Sequence, residues 1–295
     1  MVRLAIIGLG NIGKVHLDKY RHLKDQYQLE LFFSKTNTNK IDYVYRDMIK
    51  NHGKCLAHGY SDYKRMLKEV RPYLVDICSP DEFHAEHIEY ALESRAKAII
   101  CEKPLFHPKD IKKGKDLVEK AERKGILLAT NLTMIAMKNQ LQHVNGKDYR
   151  EIEKLKPYRM VWMTKKDNGS QPDIDLLPHA LSLCDINTDE ARKSVYNNGK
   201  LITINSANEE KEIVIGYVDD ADKKIRKWSF EDYVFEYGNY AEGHVQINCN
   251  VLKDPIMVKD PMMVSLEAFL QEDPIADGKA GLKNAEKVAK LHNMH

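Results

Sequence analysis

The chain lacks the residues that would mark it for a membrane, for a disulfide framework or for nucleic acid. Its 295 residues hold five cysteines, at positions 55, 78, 101, 184 and 249, and no two of them stand as C-x-x-C. That spacing excludes the common zinc and dithiol patterns and predicts reduced thiols with no structural metal. Cys78 and Cys101 sit in apolar strand-like surroundings and are expected to be buried. No apolar run approaches the roughly 20 residues of a membrane span, and the first apolar run is too short for a secretory signal. The compartment these features predict is cytoplasmic. An excess of one charge is also missing. Lysine and arginine number 46 against 44 acids, a net charge of +2, which leaves no general argument for nucleic acid or an anionic membrane as partner. Hydrophobic residues at 43% and charged residues at 31% describe a globular protein, and this length favours two domains.

Glycine is also sparse, at 15 residues, so three glycines within one short stretch stand out. An apolar run, Leu4 to Ile7, reads as a buried parallel strand. It breaks into Gly8-Leu-Gly10-Asn-Ile-Gly13, and Lys14 to Leu23 continues with helical spacing. This is G-x-G-x-x-G between a strand and a helix, the context the dinucleotide fingerprint requires. Gly8 permits the tight turn, Gly10 leaves room for a pyrophosphate, and Gly13 lets helix and strand approach. The N–H groups of Asn11, Ile12 and Gly13, at the positive end of the helix, would hold the phosphates.

Strand and helix signals then alternate. Apolar runs at Leu29–Phe33, Tyr73–Cys78, Ala98–Cys101 and Ile126–Ala129 predict strands. Helices are expected over Ile41–Lys50, His84–Ser94 and Lys109–Lys124, the last ended by Gly125. Repeated βα units of this length predict a doubly wound parallel sheet over residues 1–130. From Tyr158 onward the pattern changes to strands without intervening helices: Arg159–Thr164, Leu201–Asn205, Glu212–Val218, Ile225–Phe230 and Val245–Val251. Asp219–Asp222 and Tyr237-Gly238-Asn239 read as hairpin breaks. Two helices close the chain, near Met263–Gln271 and Leu282–His292. The expected fold class is therefore α/β, an N-terminal Rossmann sheet followed over residues 131–295 by an α+β domain with a mainly antiparallel open sheet.

The ribose reader of such a site lies at the end of the second strand. Here that stretch is Phe33-Ser34-Lys35-Thr36-Asn37. It has two hydroxyls and a cation but no carboxylate, which favours NADP over NAD. The strand Ala98–Cys101 ends in Glu102-Lys103-Pro104, at the sheet edge where ligands bind. A lysine there can donate to an oxygen that gains negative charge during hydride delivery.

With these residues in place, the chain resembles the Gfo/Idh/MocA family of nicotinamide-dependent oxidoreductases, which includes glucose–fructose oxidoreductases and inositol dehydrogenases. The resemblance rests on Gly8-x-Gly10-x-x-Gly13, on Asp76-Ile-Cys-Ser79-Pro80 followed by His84, and on Glu102-Lys103-Pro104. It implies that Ser79-Pro80 passes under the nicotinamide. It makes His84 a structural or cofactor-side residue, with a plain place at a helix start as the alternative. The family also carries Asp-x-x-x-His at a helix start in its second domain, which Asp175-Leu-Leu-Pro-His179 matches. Spacing i, i+4 puts both side chains on one helical face, so the carboxylate can orient the imidazole. The alternative is a helix-capping aspartate and a surface histidine. The chain departs from the family in having Ser182 where an acid often follows, and in lacking an arginine in Asn131–Met137. There Asn131 and Thr133 stand as polar substrate contacts.

The resemblance implies hydride transfer between nicotinamide and a carbonyl or hydroxyl carbon of a small polyhydroxylated substrate, a sugar, a cyclitol or a derivative. Lys103 and His179 would handle the proton and Asp175 would orient. An imine or another small carbonyl is the alternative substrate. A homodimer or homotetramer is expected. The rival class is a catalytically silent dinucleotide-sensing protein of the same fold. Loss of Lys103 or His179 would mark it, and both residues are present.

Overall fold

Short runs of β-branched and aliphatic residues, each bounded by glycine, proline or a charged turn, become the strands of two separate sheets. The computed structural model describes residues 1–35, 57–141, 159–165, 171–207, 211–218, 225–230, 233–241, 243–250 and 252–294. It divides into two units. The first is Met1–Asn131 with Leu266–Leu282; the second is Leu132–Ser265 with Lys283–His295.

The first unit holds a six-stranded sheet of β1 (Val2–Ile7), β2 (Leu29–Ser34), β3 (Ala57–Tyr60), β4 (Leu74–Ile77), β5 (Ala98–Cys101) and β6 (Leu127–Thr130). The order is β3-β2-β1-β4-β5-β6 and every pairing is parallel. Strands covered on both faces need apolar residues at nearly every position, and Leu4 to Ile7, Leu74 to Ile77 and Ala98 to Cys101 are buried throughout. The helices α1 (Asn11–Leu23), α2 (Tyr63–Val70), α3 (His84–Glu93) and α4 (Ile111–Lys124) are amphipathic. In α4, Leu117, Val118 and Ala121 face inward beside Gly114, where a β-carbon would strike the Phe106 ring at 2.5 Å. Gly125 ends α4 at φ +61°. The sheet order reverses between β1 and β4, and ligands of such sheets bind beyond the carboxyl ends of those strands.

The second unit holds an eight-stranded sheet of β7 (Arg159–Lys165), β8 (Ala191–Tyr196), β9 (Leu201–Ser206), β10 (Glu212–Val218), β11 (Ile225–Phe230), β12 (Tyr233–Ala241), β13 (His244–Cys249) and β14 (Ile256–Lys259). Its order is β14-β13-β12-β11-β7-β10-β9-β8, antiparallel except for β7 beside β10. Alternate residues face a common core, among them Ile202, Ile204, Ile213, Ile215, Val245 and Ile247. Residues of α5 (Thr133–Leu141) and α7 (Leu177–Leu183) join the same core, with α6 (Pro172–Asp175) between them; α8 (Pro261–Leu270) and α9 (Gly278–His292) close the chain. Among the described residues, no helix is long and apolar enough to cross a membrane.

One expectation is corrected. Tyr237-Gly238-Asn239 is not a turn but lies inside β12, where the register with β13 shifts between Tyr237 and Tyr240. A β-carbon on Gly238 would stand 2.9 Å from the Gln246 carbonyl oxygen. The glycine therefore marks a bulge with a close neighbouring backbone. The expected helix Ile41–Lys50, the break at Asp219–Asp222, and Thr36 lie outside the described residues.

Candidate active site

The turn after β1 is built around what cannot be there. Gly8 has φ +92°, and a β-carbon on it would lie 2.7 Å from the Ser79 nitrogen. On Gly13 a β-carbon would lie 2.2 Å from the Gly8 carbonyl oxygen. Gly10 is the opposite case, since a β-carbon there would meet nothing within 4 Å. Two glycines close the turn and the third holds space open. Gly10 caps α1 with no side-chain hydrogen bond, and the first turn of α1 carries no acid. The first N–H groups of a helix have no intrahelical acceptor, so Asn11, Ile12 and Gly13 offer donors and a positive dipole end to an anion. These residues fit a pyrophosphate. From β2, the buried Ser34 carbonyl oxygen accepts from Gly8 N at 3.3 Å and Leu9 N at 3.1 Å. Lys35 Nζ donates to the Leu9 carbonyl oxygen at 2.6 Å, which holds an ammonium against the glycine turn.

The next two loops meet at the same sheet edge. Ser79 Oγ lies 2.7 Å from His87 Nδ1. His84 is 1% exposed, with Nδ1 2.8 Å from the Pro104 carbonyl oxygen and Nε2 2.9 Å from that of Ser79. It is a brace between the Ser79-Pro80 turn and the Lys103-Pro104 turn. Burial pushes the His84 pKa down, against its two carbonyl partners. Burial also takes His87 down to about 4. Glu102 is buried and its carboxyl is held at about 2. Burial alone would raise it, but hydrogen bonding to His16, the charges of His16 and Lys103, and the Asn131 amide outweigh that. Lys103 is half-buried at the end of β5. Asn131, which the sequence offers to a substrate, is 1% exposed and donates from Nδ2 to Glu102 Oε1 at 2.5 Å.

In the second unit Asp175 ends α6 and His179 lies in α7, both half-buried. The helix is interrupted between them because Pro178 has no N–H for the i→i−4 ladder. Leu176, at φ −98° and ψ −31°, keeps the right-handed turn across the break. Tyr217 Oη donates to Asp175 Oδ2 at 3.2 Å. The His179 ring stacks on Trp162, with centroids 5.4 Å apart at 18°. Ser182 Oγ donates to the Pro178 carbonyl oxygen at 2.7 Å. Thr133 opens α5, half-buried. A cavity of about 300 Å³ opens beside Tyr217, lined also by Gln171, Asp173, Lys193, Asn198 and Lys200.

Residues 2–132 match the model of GFO_IDH_MocA, described as an oxidoreductase family with an NAD-binding Rossmann fold. Over that stretch the chain is similar to the Gfo/Idh/MocA family. A D-glucoside 3-dehydrogenase of Escherichia coli is 33% identical over 104 residues, 35% of this chain and 27% of that protein. The chain thus matches little more than a quarter of that relative's length. Solved structures of similar fold cover nearly the whole chain. A UDP-N-acetylglucosamine 3-dehydrogenase of Acidithiobacillus ferrooxidans has a TM-score of 0.72 at 16% identity, covering 98% of this chain and 96% of its own. A 3-ketoreductase of Actinomadura kijaniata, solved with TDP-benzene and NADP, has 0.71 at 16%, covering 99% and 97%. At such identities these likenesses establish the fold.

Two polar residues of the site are not singled out by the sequence. His16 is fully buried on the inner face of α1, with Gly13, Leu17 and Tyr20. His87 lies on the inner face of α3. Each occupies a position of helical apolar spacing, so its polarity was the available signal.

Proposed function

We propose that the protein is an NADP-preferring oxidoreductase acting on a polyhydroxylated small molecule, a sugar, a cyclitol or a derivative. The observation that carries this reading is the pairing, within one unit, of the open cradle at Gly10 with the half-buried Lys103 at the end of β5. A bound nicotinamide would supply the hydride acceptor for oxidation of a secondary alcohol, or the donor for the reverse reaction. Lys103 would donate to the substrate oxygen as negative charge grows there. His179 would take or return the hydroxyl proton. Asp175, held by Tyr217, would orient the imidazole or a neighbouring substrate hydroxyl, and Thr133 would add a polar contact. Ser79-Pro80 would run beneath the nicotinamide.

The names of three relatives, a glucoside 3-dehydrogenase, a sugar-nucleotide 3-dehydrogenase and a 3-ketoreductase, support a ring-hydroxyl substrate. The polar groups in the mixed lining of the cavity beside Tyr217, among them Asp173, Lys193 and Asn198, support the same class. Lys35, with no carboxylate in Phe33-Ser-Lys35, supports NADP over NAD because its ammonium can donate to a 2′-phosphate. Assembly as a cytoplasmic homodimer or homotetramer belongs to the same proposal.

The test is a screen of purified protein with NADP⁺ against sugars, sugar acids, aminosugars and cyclitols, following absorbance of the reduced cofactor. Turnover should appear with at least one polyol. Lys35→Ala should weaken NADPH binding about tenfold and leave NADH within about twofold. Tight NADPH binding without turnover of any substrate would support the dinucleotide sensor instead. Equal loss of both cofactors in Lys35→Ala would sink the NADP preference.

A further inference from the structure

Behind the cradle the first unit buries several ionisable groups in one cluster. His16 from α1 is fully buried, as is Asp76 from β4. Glu102 at the end of β5 is 7% exposed, Asn131 after β6 is 1% exposed and Cys78 after β4 is 4% exposed. His16 Nδ1 lies 2.7 Å from Asp76 Oδ2, and His16 Nε2 lies 3.0 Å from Glu102 Oε1. Asn131 Nδ2 converges on the same Glu102 oxygen. Cys78 Sγ lies 3.3 Å from His16 Nδ1 and donates to Asp76 Oδ1 at 3.4 Å. Tyr20, one turn along α1, is buried beside Asp76.

A neutral imidazole carries one N–H and one bare nitrogen. Here both ring nitrogens face carboxylate oxygens at hydrogen-bond distance, and a bare nitrogen against a carboxylate would set lone pair against lone pair. A donor on each nitrogen, as a cationic ring has, satisfies both carboxylates, while the Asn131 amide, 3.3 Å from Nε2, is the donor a neutral ring would need there. Two buried carboxylates also need a counter-charge, and among the described residues His16 is the group placed between them to carry it. Lys103 follows Glu102 in the chain, and its charge acts on the Glu102 carboxylate. The signs alternate from the core to the sheet edge.

We propose that Asp76, His16 and Glu102 form a buried charge chain, with His16 a permanent imidazolium, that positions the Lys103 ammonium at the end of β5. His16, Asp76, Glu102 and Asn131 are positioning residues in this account. The proposal rests on the reading of Lys103 as the group that acts on substrate. The direction of each titration agrees with the geometry. Burial pulls the His16 pKa down, yet Asp76 and Cys78 lift it well above its ordinary value. Glu102 is held down to about 2 against its burial. The donor set of His16, Asp76 and Cys78, all within 4.8 Å, has the chemistry of a metal site. Hydrogen bonds already join these atoms, and burial followed by Asp76 pushes the Cys78 thiol far above the range in which it becomes a thiolate.

Two measurements on the full chain test the proposal without a known substrate. The first is the ring ¹⁵N spectrum of His16. Both nitrogens should keep imidazolium shifts from about pH 6 to about pH 9, where an ordinary histidine has lost its proton. A neutral tautomer at about pH 7 would overturn the proposal. The second is acetylation of Lys103 by acetic anhydride, read by mass spectrometry. Glu102→Gln removes the charge next to the ammonium and should speed labelling about threefold or more. His16→Gln leaves the Glu102 charge to act on Lys103 alone and should slow it. Mere loosening of the strand end would speed labelling in both variants, and that result contradicts the charge chain. If His16→Gln does not fold, the spectrum of the unaltered protein and the Glu102→Gln rate still decide the matter. If both measurements agree but Lys103→Ala retains turnover, the chain stands and the role given to Lys103 fails.

Discussion

Gly10 and Gly13 lie three positions apart and do opposite things, which makes them a sharp test at the scale of single residues. A β-carbon on Gly13 has nowhere to go, being 2.2 Å from a backbone oxygen, whereas one on Gly10 meets nothing. Gly13→Ala should therefore cost about 1–3 kcal/mol of stability in urea denaturation. Gly10→Val should leave the melting temperature within about 2 °C, yet weaken NADPH binding about tenfold or more. A Gly10→Val protein that binds NADPH normally would mean the cradle holds nothing. The glycines were legible in the sequence because their spacing encodes a backbone shape. Asn131 was not, because a polar residue after a strand gives no sign of whether it faces solvent or a buried carboxylate. Its amide goes to Glu102.

Among the elements, the strands and helices of the first unit could be read closely because each carries its own apolar period and its own stop signal, as α4 does with Gly125. The bulge at Gly238 misled for a physical reason. Glycine serves both a turn and a close backbone approach, and only the position of Gln246 tells them apart. The contact between the two loops at the sheet edge was invisible for a related reason: His84 reaches Pro104 across 20 residues. Beside it, His87 makes α3 sensitive to acid. Its folded pKa, about 4, lies below the ordinary 6.5, so the unfolded chain takes up the proton first as pH falls. The stability it contributes is complete above pH 6.5 and is lost as pH falls toward about 4. His87→Gln should flatten that part of the stability curve by about 1–2 kcal/mol relative to the parent, in urea titrations at stepped pH. Parallel curves would show that the ring is not desolvated in the folded protein.

On the scale of the whole molecule, the first unit is completed by residues from the far end of the chain. Thr130 N donates to the Ala276 carbonyl oxygen at 3.0 Å, and Tyr73 Oη donates to Glu272 at 2.9 Å. A β-carbon on Gly281 would stand 2.6 Å from Thr130 Cγ2 and 2.8 Å from Leu105 Cδ2. No local pattern in 266–282 announces this return, since an amphipathic helix does not state which core it covers. Gly281→Ala should destabilise the first unit by about 1–3 kcal/mol. Both tryptophans, Trp162 and Trp228, lie in the second unit. The circular dichroism transition should therefore shift more than the tryptophan fluorescence transition. Equal shifts would contradict the assignment of that segment. The central claim is hydride transfer served by Lys103, and isotope transfer tests it most directly. With a substrate from the screen in its oxidised form, NADPH carrying deuterium at the transferring position of C4 should deliver one deuterium to the product carbon. Lys103→Ala should slow that delivery by about 10²-fold or more while binding NADPH as the parent does. Product without deuterium, or delivery undiminished in Lys103→Ala, would contradict the account.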